Sequence, residues 1–273
     1  MFPDSIFGII TLYDILISVG IIVALFLFGY IADKRKIKAS LQRFTILCAC
    51  AAIGGGLGSA VLFQAVYNIE REGGFVINKQ TGATFYGGLL GGVALFLAVY
   101  FIAGHFIYKK KGDPGYHRRN FFSTASAAIA AVAIGHSFGR VGCLMAGCCH
   151  GAQTEEWYGI VMKIGGESAK YVPTQLFEAI FLLLLFGFLF INSKSGGRYN
   201  LPIYMASYGA WRFFLEFIRD DYRGSIGTLT LTPSQLISIL MVVGAIGVFV
   251  LEKLYTDKLE KAEKAELSEL NKE

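Results

Sequence analysis

Seven apolar runs, each close to the roughly 20 residues a helix needs to cross a bilayer, constrain this chain more than anything else in it. They fall at 8–31, 44–67, 84–108, 120–147, 174–192, 201–220 and 233–251. Apolar residues make up 54% of the sequence and charged ones 16%, against about 45–50% and about 25% in soluble domains. The 33 glycines suit helices whose backbones approach closely inside a membrane. The expected fold is an all-α integral membrane protein of about seven transmembrane helices. Residues 1–251 form one polytopic domain with a small extracytoplasmic cap within 151–172, and 252–273 form a charged cytoplasmic tail.

The net charge of +5 matters through its placement. Lys34, Arg35, Lys36, Lys38 and Arg43 follow the first run, and Lys109, Lys110, Lys111, Arg118 and Arg119 follow the third. Lys194 and Arg198 follow the fifth, and Lys253, Lys258, Lys261 and Lys264 lie in the tail. Basic residues concentrated between alternate spans mark the cytoplasmic side. The N-terminus is therefore expected outside, the C-terminus inside, and the protein in the bacterial cytoplasmic (inner) membrane. This charge is topology and attraction to lipid headgroups, not a nucleic-acid footprint.

Some charges lie inside the spans, where an ionised group costs about 2.5–3.5 kcal/mol on insertion scales and is a functional candidate by default. Arg140 sits in Gly139-Arg140-Val141-Gly142 of the fourth run. Arg212, Glu216 and Arg219, at i, i+4 and i+7 of the sixth, share one helix face. Glu178 lies just inside the fifth run, and Asp14 beside Tyr13 in the first. On the expected topology all lie toward the outer surface and can converge on one polar cavity. Guanidinium groups match phosphate oxygens through paired hydrogen bonds, and the phosphate at that depth is a phospholipid's. The competing reading is that Glu216 neutralises an arginine and the set holds helices together.

Two helix starts echo one another: Val172-Pro173-Thr174-Gln175-Leu176 and Thr232-Pro233-Ser234-Gln235-Leu236. Proline at a first helical position loses no hydrogen bond, so both read as helix starts. Alternatively, Gln175 and Gln235 line an outward-facing site. The Gly54-Gly55-Gly56-Leu57-Gly58 run reads as small-residue packing, and Tyr86, beside Gly87 and Gly88, as a ligand contact or an interface anchor. The segment from Gly151 to Val172, punctuated by Gly159, Gly165 and Gly166, suits short strands or a flap.

Four ordered segments resemble the bacterial prolipoprotein diacylglyceryl transferase family. They are Phe85-Tyr86-Gly87-Gly88-Leu89, Gly139-Arg140-Val141-Gly142 through Gly151, Pro173 through Glu178, and Tyr208-Gly209-Ala210-Trp211-Arg212 through Arg219. The resemblance implies transfer of diacylglyceryl from phosphatidylglycerol, or a similar anionic phospholipid, to the lipobox cysteine in a prolipoprotein signal region, with glycerol phosphate leaving. It implies Arg140, Arg212, Tyr86 and His150 as chemical residues. Arg140, Gly142, Cys143, Tyr13, Gln175, Glu178, Glu216 and Arg219 would bind substrate, with no metal or other cofactor.

The departures from the family pattern are concentrated in one place. Where that pattern reads GRxGNFxNxExxG, this chain has Cys143 and Ala146 for the asparagines and Cys148 for the glutamate. Tyr86 replaces a histidine, and Leu12-Tyr13-Asp14 stands for a WYG. Cys143, Cys148, Cys149 and His150 fit none of the common zinc spacings. An oxidised pair, a catalytic thiolate beside Arg140, a metal site and simple structural replacement all remain open, and His150 suits a relocated base. The altered set keeps two other functions in view: a phospholipid-dependent transferase with a different acceptor, and a lipid or anion carrier.

Overall fold

The computed structural model of the chain describes residues 10–69, 73–78, 81–82, 84–164, 167–219 and 231–270. Gly165 and Gly166 lie outside them. The protein is an all-α integral membrane protein with one small hairpin. Its helices are α1 (Leu12–Lys34), α2 (Ala39–Tyr67), α3 (Phe85–Lys110), the single turn α4 (Tyr116–Arg119), α5 (Phe121–Ala146), α6 (Thr174–Lys194), α7 (Asn200–Leu215) and α8 (Pro233–Leu270). A 3-10 turn, Glu216–Ile218, continues α7.

Among the described residues, six helices are long and apolar enough to span: α1, α2, α3, α5, α6 and the first 30 residues of α8. The stretch expected as a seventh span, 201–220, differs. It is a 16-residue helix plus the 3-10 turn, about 24 Å of α-helix at 1.5 Å per residue, and it carries two charged side chains, Arg212 and Glu216. The tail after 251 simply continues α8 to Leu270.

The chain divides into two compact units, one formed by residues 36–121 and the other by 1–35 with 122–273. In the first of these, α2 and α3 cross on glycines. A Cβ on Gly56 would lie 2.9 Å from the carbonyl oxygen of Gly88, and one on Gly92 3.1 Å from that of Ala52. The Ser59 hydroxyl donates to the Gly87 carbonyl across the same seam at 2.8 Å. This is the small-residue packing expected of the second run. At the far end, His117 is enclosed by the rings of Tyr100, Tyr108 and Phe101.

In the other unit α1 begins with a capping box. Thr11 Oγ1 accepts from the Asp14 N–H at 3.2 Å, and the Asp14 carboxylate accepts from Thr11 N–H at 2.9 Å. Asp14, expected among the converging charges, is therefore exposed and spent on starting its own helix. α1 crosses α5 at Gly20, where an added Cβ would meet Phe138 Cβ at 2.7 Å. α7 packs along α8 at Gly209, whose Cβ would approach the Ser238 carbonyl to 3.0 Å. The cap is an antiparallel hairpin, β1 (Ile160–Ile164) with β2 (Glu167–Tyr171), in register Ile160↔Tyr171. It is tied down by Gly151 N–H to Val172 O (2.8 Å) and Ala152 N–H to Ile218 O (3.2 Å).

Candidate functional site

Five elements of this unit bring polar groups together: the start of α1, the end of α5, the start of α6, the end of α7 and the start of α8. Arg140 lies on α5, with its side chain 14% exposed, and its Nε is 3.0 Å from Oε1 of the fully buried Glu178 on α6. Tyr208 of α7 donates its hydroxyl to the same carboxylate oxygen at 2.7 Å, and it accepts from Arg140 Nη2 at 3.3 Å. Three helices thus meet in one triangle, made of an ion pair and two hydrogen bonds. The Glu178 Oε2 atom has no hydrogen-bond partner among the described residues.

A second nest surrounds Arg212. Its Nη2 lies 2.6 Å from Oε2 of Glu216, the i+4 partner, and donates to the Ser234 hydroxyl of α8 at 3.2 Å. Glu216 Oε1 accepts from the Thr232 hydroxyl at 2.9 Å. Arg219 Nε stands 3.9 Å from Glu216 Oε2. Arg212 Nη1 is buried with no hydrogen-bond partner among the described residues. Between the nests lies His136, one turn before Arg140. Its Nδ1 is 3.0 Å from the Tyr204 hydroxyl, and its ring packs edge-on to Tyr208 at 4.9 Å.

The two echoed helix starts turn out to differ. Gln235 completes a capping box with Thr232, its Oε1 accepting from Thr232 N–H at 3.0 Å while Thr232 Oγ1 accepts from Gln235 N–H at 3.2 Å. Gln235 is therefore structural. Gln175 instead reaches across to the turn after α5, donating to the Cys148 carbonyl at 2.5 Å, and its Oε1 is buried with no hydrogen-bond partner among the described residues. Thr174 beside it donates to the Cys149 carbonyl at 2.9 Å.

These bonds hold the turn that ends α5. Gly147 adopts φ 71° and donates to the Leu144 carbonyl, the left-handed stop that glycine allows without strain. Cys149 is left-handed too, at φ 64°. The turn folds the chain back so that the sulfurs of Cys143, Cys148 and Cys149 lie within 4.8 Å of one another, all three as free thiols. Hydrogen bonds from the Cys143 and Cys148 thiols, then from the Arg219 guanidinium, hold the Cys149 thiol far below its usual range, against the opposing effect of burial. His150 follows. Its Nδ1 lies 2.9 Å from the Gly151 carbonyl, which can only accept, so Nδ1 carries the proton and Nε2 is the acceptor. Its ring rests on Tyr171 of the cap at 4.6 Å.

Of the residues expected from sequence, Arg140, Gly142, Cys143, Tyr13, Gln175, Glu178, Arg212, Glu216, Arg219 and His150 all belong to this unit. Tyr13 covers Gly142, where an added Cβ would lie 2.9 Å from the ring. Tyr86 is in the other unit, in the first turn of α3. The sequence reading assigned no role to Tyr208, His136, Tyr204, Thr232 or Ser234. A signal existed for two of them: Tyr208 precedes Arg212, and His136 precedes Arg140, by the four residues that stack side chains on one helix face.

The sequence pattern of the prolipoprotein diacylglyceryl transferase family matches residues 5–251. Relatives include "Phosphatidylglycerol--prolipoprotein diacylglyceryl transferase 2" of Clostridium perfringens, 32% identical over 92% of this chain and 94% of its own length. The Clostridium tetani enzyme named phosphatidylglycerol--prolipoprotein diacylglyceryl transferase is 31% identical over 87% and 90%. One of the same name from Dehalococcoides mccartyi is 28% identical over 87% of each chain. With that match running through the helices that carry Arg140, Glu178, Tyr208 and Arg212, this chain belongs to the prolipoprotein diacylglyceryl transferase family.

Proposed function

We propose that this protein transfers the diacylglyceryl group of phosphatidylglycerol to the lipobox cysteine thiol of prolipoproteins, releasing glycerol phosphate. The observation that carries the reading is the pair of arginine nests in one helical unit of a family member. Three guanidiniums there face the carboxylates of Glu178 and Glu216 and the Cys149 thiol, and Arg212 Nη1 is buried with no hydrogen-bond partner among the described residues. A lipid phosphate answers that need.

Orientation follows the basic residues. The ends opposite the site carry Arg35, Lys36, Lys194 and Arg198, so the site faces outward, with the N-terminus outside and the C-terminus in the cytoplasm. α7 with its 3-10 turn makes the seventh crossing. The membrane is the bacterial cytoplasmic one, where phosphatidylglycerol enters laterally and the prolipoprotein signal region arrives from outside.

In the reaction the acceptor sulfur, as thiolate, attacks the glyceryl carbon. A C–S bond forms, the C–O bond to phosphate breaks, and the electron pair leaves on the phosphate oxygen. Arg140 and Arg212 meet the growing negative charge, and such prearranged electrostatic stabilisation is usually the largest catalytic contribution. Glu178, Tyr208 and Glu216 are positioning residues that fix those guanidiniums. His150 Nε2 accepts the thiol proton. Tyr86 stands where the family pattern has a histidine.

The test is a detergent assay with labelled phosphatidylglycerol and a lipobox peptide. Thioether-lipidated peptide with stoichiometric glycerol phosphate, abolished in Arg140→Ala, is expected. Lipid cleavage without peptide modification would move the function to another acceptor, and binding without turnover would favour a carrier.

A further inference from the structure

Cys143 and Cys148 of the Cys143, Cys148 and Cys149 cluster replace one asparagine and the glutamate of the family pattern, and the reaction proposed above gives these thiols nothing to do. Their geometry is that of a ligand set. Three sulfurs lie within 4.8 Å of one another. Zinc–thiolate bonds of about 2.3 Å in a tetrahedron need sulfurs about 3.8 Å apart, so closure asks for a movement of about 1 Å, within reach of a side-chain rotation.

The surroundings have the features of a supported metal site. Gln175 and Thr174 hold the carbonyls of Cys148 and Cys149, fixing the backbone that carries two of the sulfurs. Arg219, beside the Cys149 thiol, supplies one positive charge, and three thiolates around a divalent ion carry one net negative charge. Arg219 is itself joined to the Gly151 strand by a backbone bridge. No fourth histidine, cysteine or carboxylate joins the cluster among the described residues. Three protein ligands and one open position is the arrangement of catalytic zinc, as opposed to the closed four-ligand structural site.

We infer that Cys143, Cys148 and Cys149 bind a zinc ion whose open position takes the acceptor thiol as a thiolate. The inference rests on the acceptor being a thiol, as proposed above. A thiol that coordinates zinc is deprotonated outright. Its proton passes by way of His150 Nε2 to solvent, its sulfur lone pair forms the C–S bond, and the ion neither gains nor loses electrons. Cys143 follows Arg140 by three residues, about 4.5 Å along the helix axis, so nucleophile and phosphate would be held one helical turn apart. Zinc then holds as thiolate the sulfur whose proton His150 takes up.

The experiment uses the full chain, purified under reducing conditions in detergent, with metal counted by mass spectrometry. One zinc per chain is expected in the wild type and in Cys50→Ser, whose thiol is on α2. Zinc should be lost in Cys148→Ser, an exposed position that leaves folding intact, and in Cys143→Ala. Cobalt added to chelator-stripped protein should give a thiolate-to-cobalt charge-transfer band that Cys148→Ser lacks. Stripping should lower thioether formation about 30-fold at pH 7, since a free thiol of pKa about 8.5 is only about 3% thiolate there, and zinc should restore it. The residual rate should climb about tenfold per pH unit below that pKa, while the loaded enzyme stays flat. Transfer that is unchanged in stripped protein and in Cys148→Ser overturns the inference and leaves the proposed function standing, as does a disulfide in place of metal. Zinc bound through sulfur, with no peptide modified under any condition, supports the metal site and overturns the thiol acceptor.

Discussion

Replacing Arg140 by lysine separates the charge of this side chain from its shape. The guanidinium sets Nε 3.0 Å from the Glu178 carboxylate in an ion pair and donates Nη2 to the Tyr208 hydroxyl at 3.3 Å. An ammonium is a single compact point of charge. Drawn to Glu178, which is buried with no other cation in ion-pair contact among the described residues, it keeps the ion pair and withdraws from the ligand. The loss is then one or two charge-assisted contacts to phosphate. One such bond is worth about 1.5–3 kcal/mol, so kcat/KM for thioether formation should fall about 10- to 150-fold with folding unchanged. Arg140→Ala behaves differently. It leaves a buried carboxylate without its cation, a loss of roughly 3–5 kcal/mol, or about 6–20 °C in apparent Tm, and its activity falls further. Thermal unfolding in detergent and turnover of labelled phosphatidylglycerol read both effects. Activity of Arg140→Lys within threefold of wild type would refute the phosphate role. An equal fall in Tm for both variants would refute the separation of charge from shape.

Other expectations follow from single contacts. Tyr208→Phe removes the 2.7 Å bond to Glu178 and the 3.3 Å contact with Arg140. It should cost about 1.5–3 kcal/mol of stability, and because Arg140 is then less fixed, kcat should fall with KM nearly constant. Thr232→Ala strips the cap from α8 and a hydrogen bond from Glu216. A loss of about 1–2 kcal/mol is expected by thermal unfolding, and Thr232→Ser should recover most of it. His117, in the short helix α4, has its pKa pushed below 6.5, first by burial and then by Arg118. The folded state therefore favours neutral imidazole, the stabilisation is complete above pH 6.5, and it declines as pH falls and the unfolded chain takes up the proton. Apparent Tm should drop between pH 7.5 and 5.5, and His117→Asn should flatten that dependence.

The membrane helices and the Arg212–Glu216 pair were legible in sequence for one reason: both follow from regular helical period. Legibility ended where the helix does. Arg219 was expected on the face of Arg212 and Glu216, but α7 tightens into a 3-10 turn at Glu216 and is extended at Arg219 (φ −83°, ψ 146°). Arg219 is thereby directed to the Gly151 strand and the Cys149 thiol. Asp14 was read as a side chain facing a cavity, and the same reading stood open for Gln235 beside that of a helix start. Each instead bonds to a threonine three residues before it, a pattern present in the sequence as Thr11…Asp14 and Thr232…Gln235. The thiol cluster was beyond any periodic reading, because Cys143, Cys148 and Cys149 straddle a helix end. Only the left-handed residues Gly147 and Cys149 return the chain upon itself.

That location explains how this chain can depart so far from its family's polar pattern while keeping its charges. The partners of Arg140 and Arg212 are Glu178, Tyr208, Glu216 and Ser234, on α6, α7, the 3-10 turn and α8. None is among the positions changed at Cys143, Ala146 and Cys148. The changed residues lie in the last turn of α5 and the loop after it, fastened by Gln175 and Thr174 through backbone carbonyls that any side chain would present. A substitution at Cys148 therefore alters the chemistry offered to an acceptor without moving a guanidinium. Substitutions at Glu178 or Glu216 have no such freedom, since each carboxylate answers to two helices at once. The half of the site that would meet phosphate is locked by cross-helix pairing, and the half that would meet the acceptor is carried on a turn whose side chains are free to change.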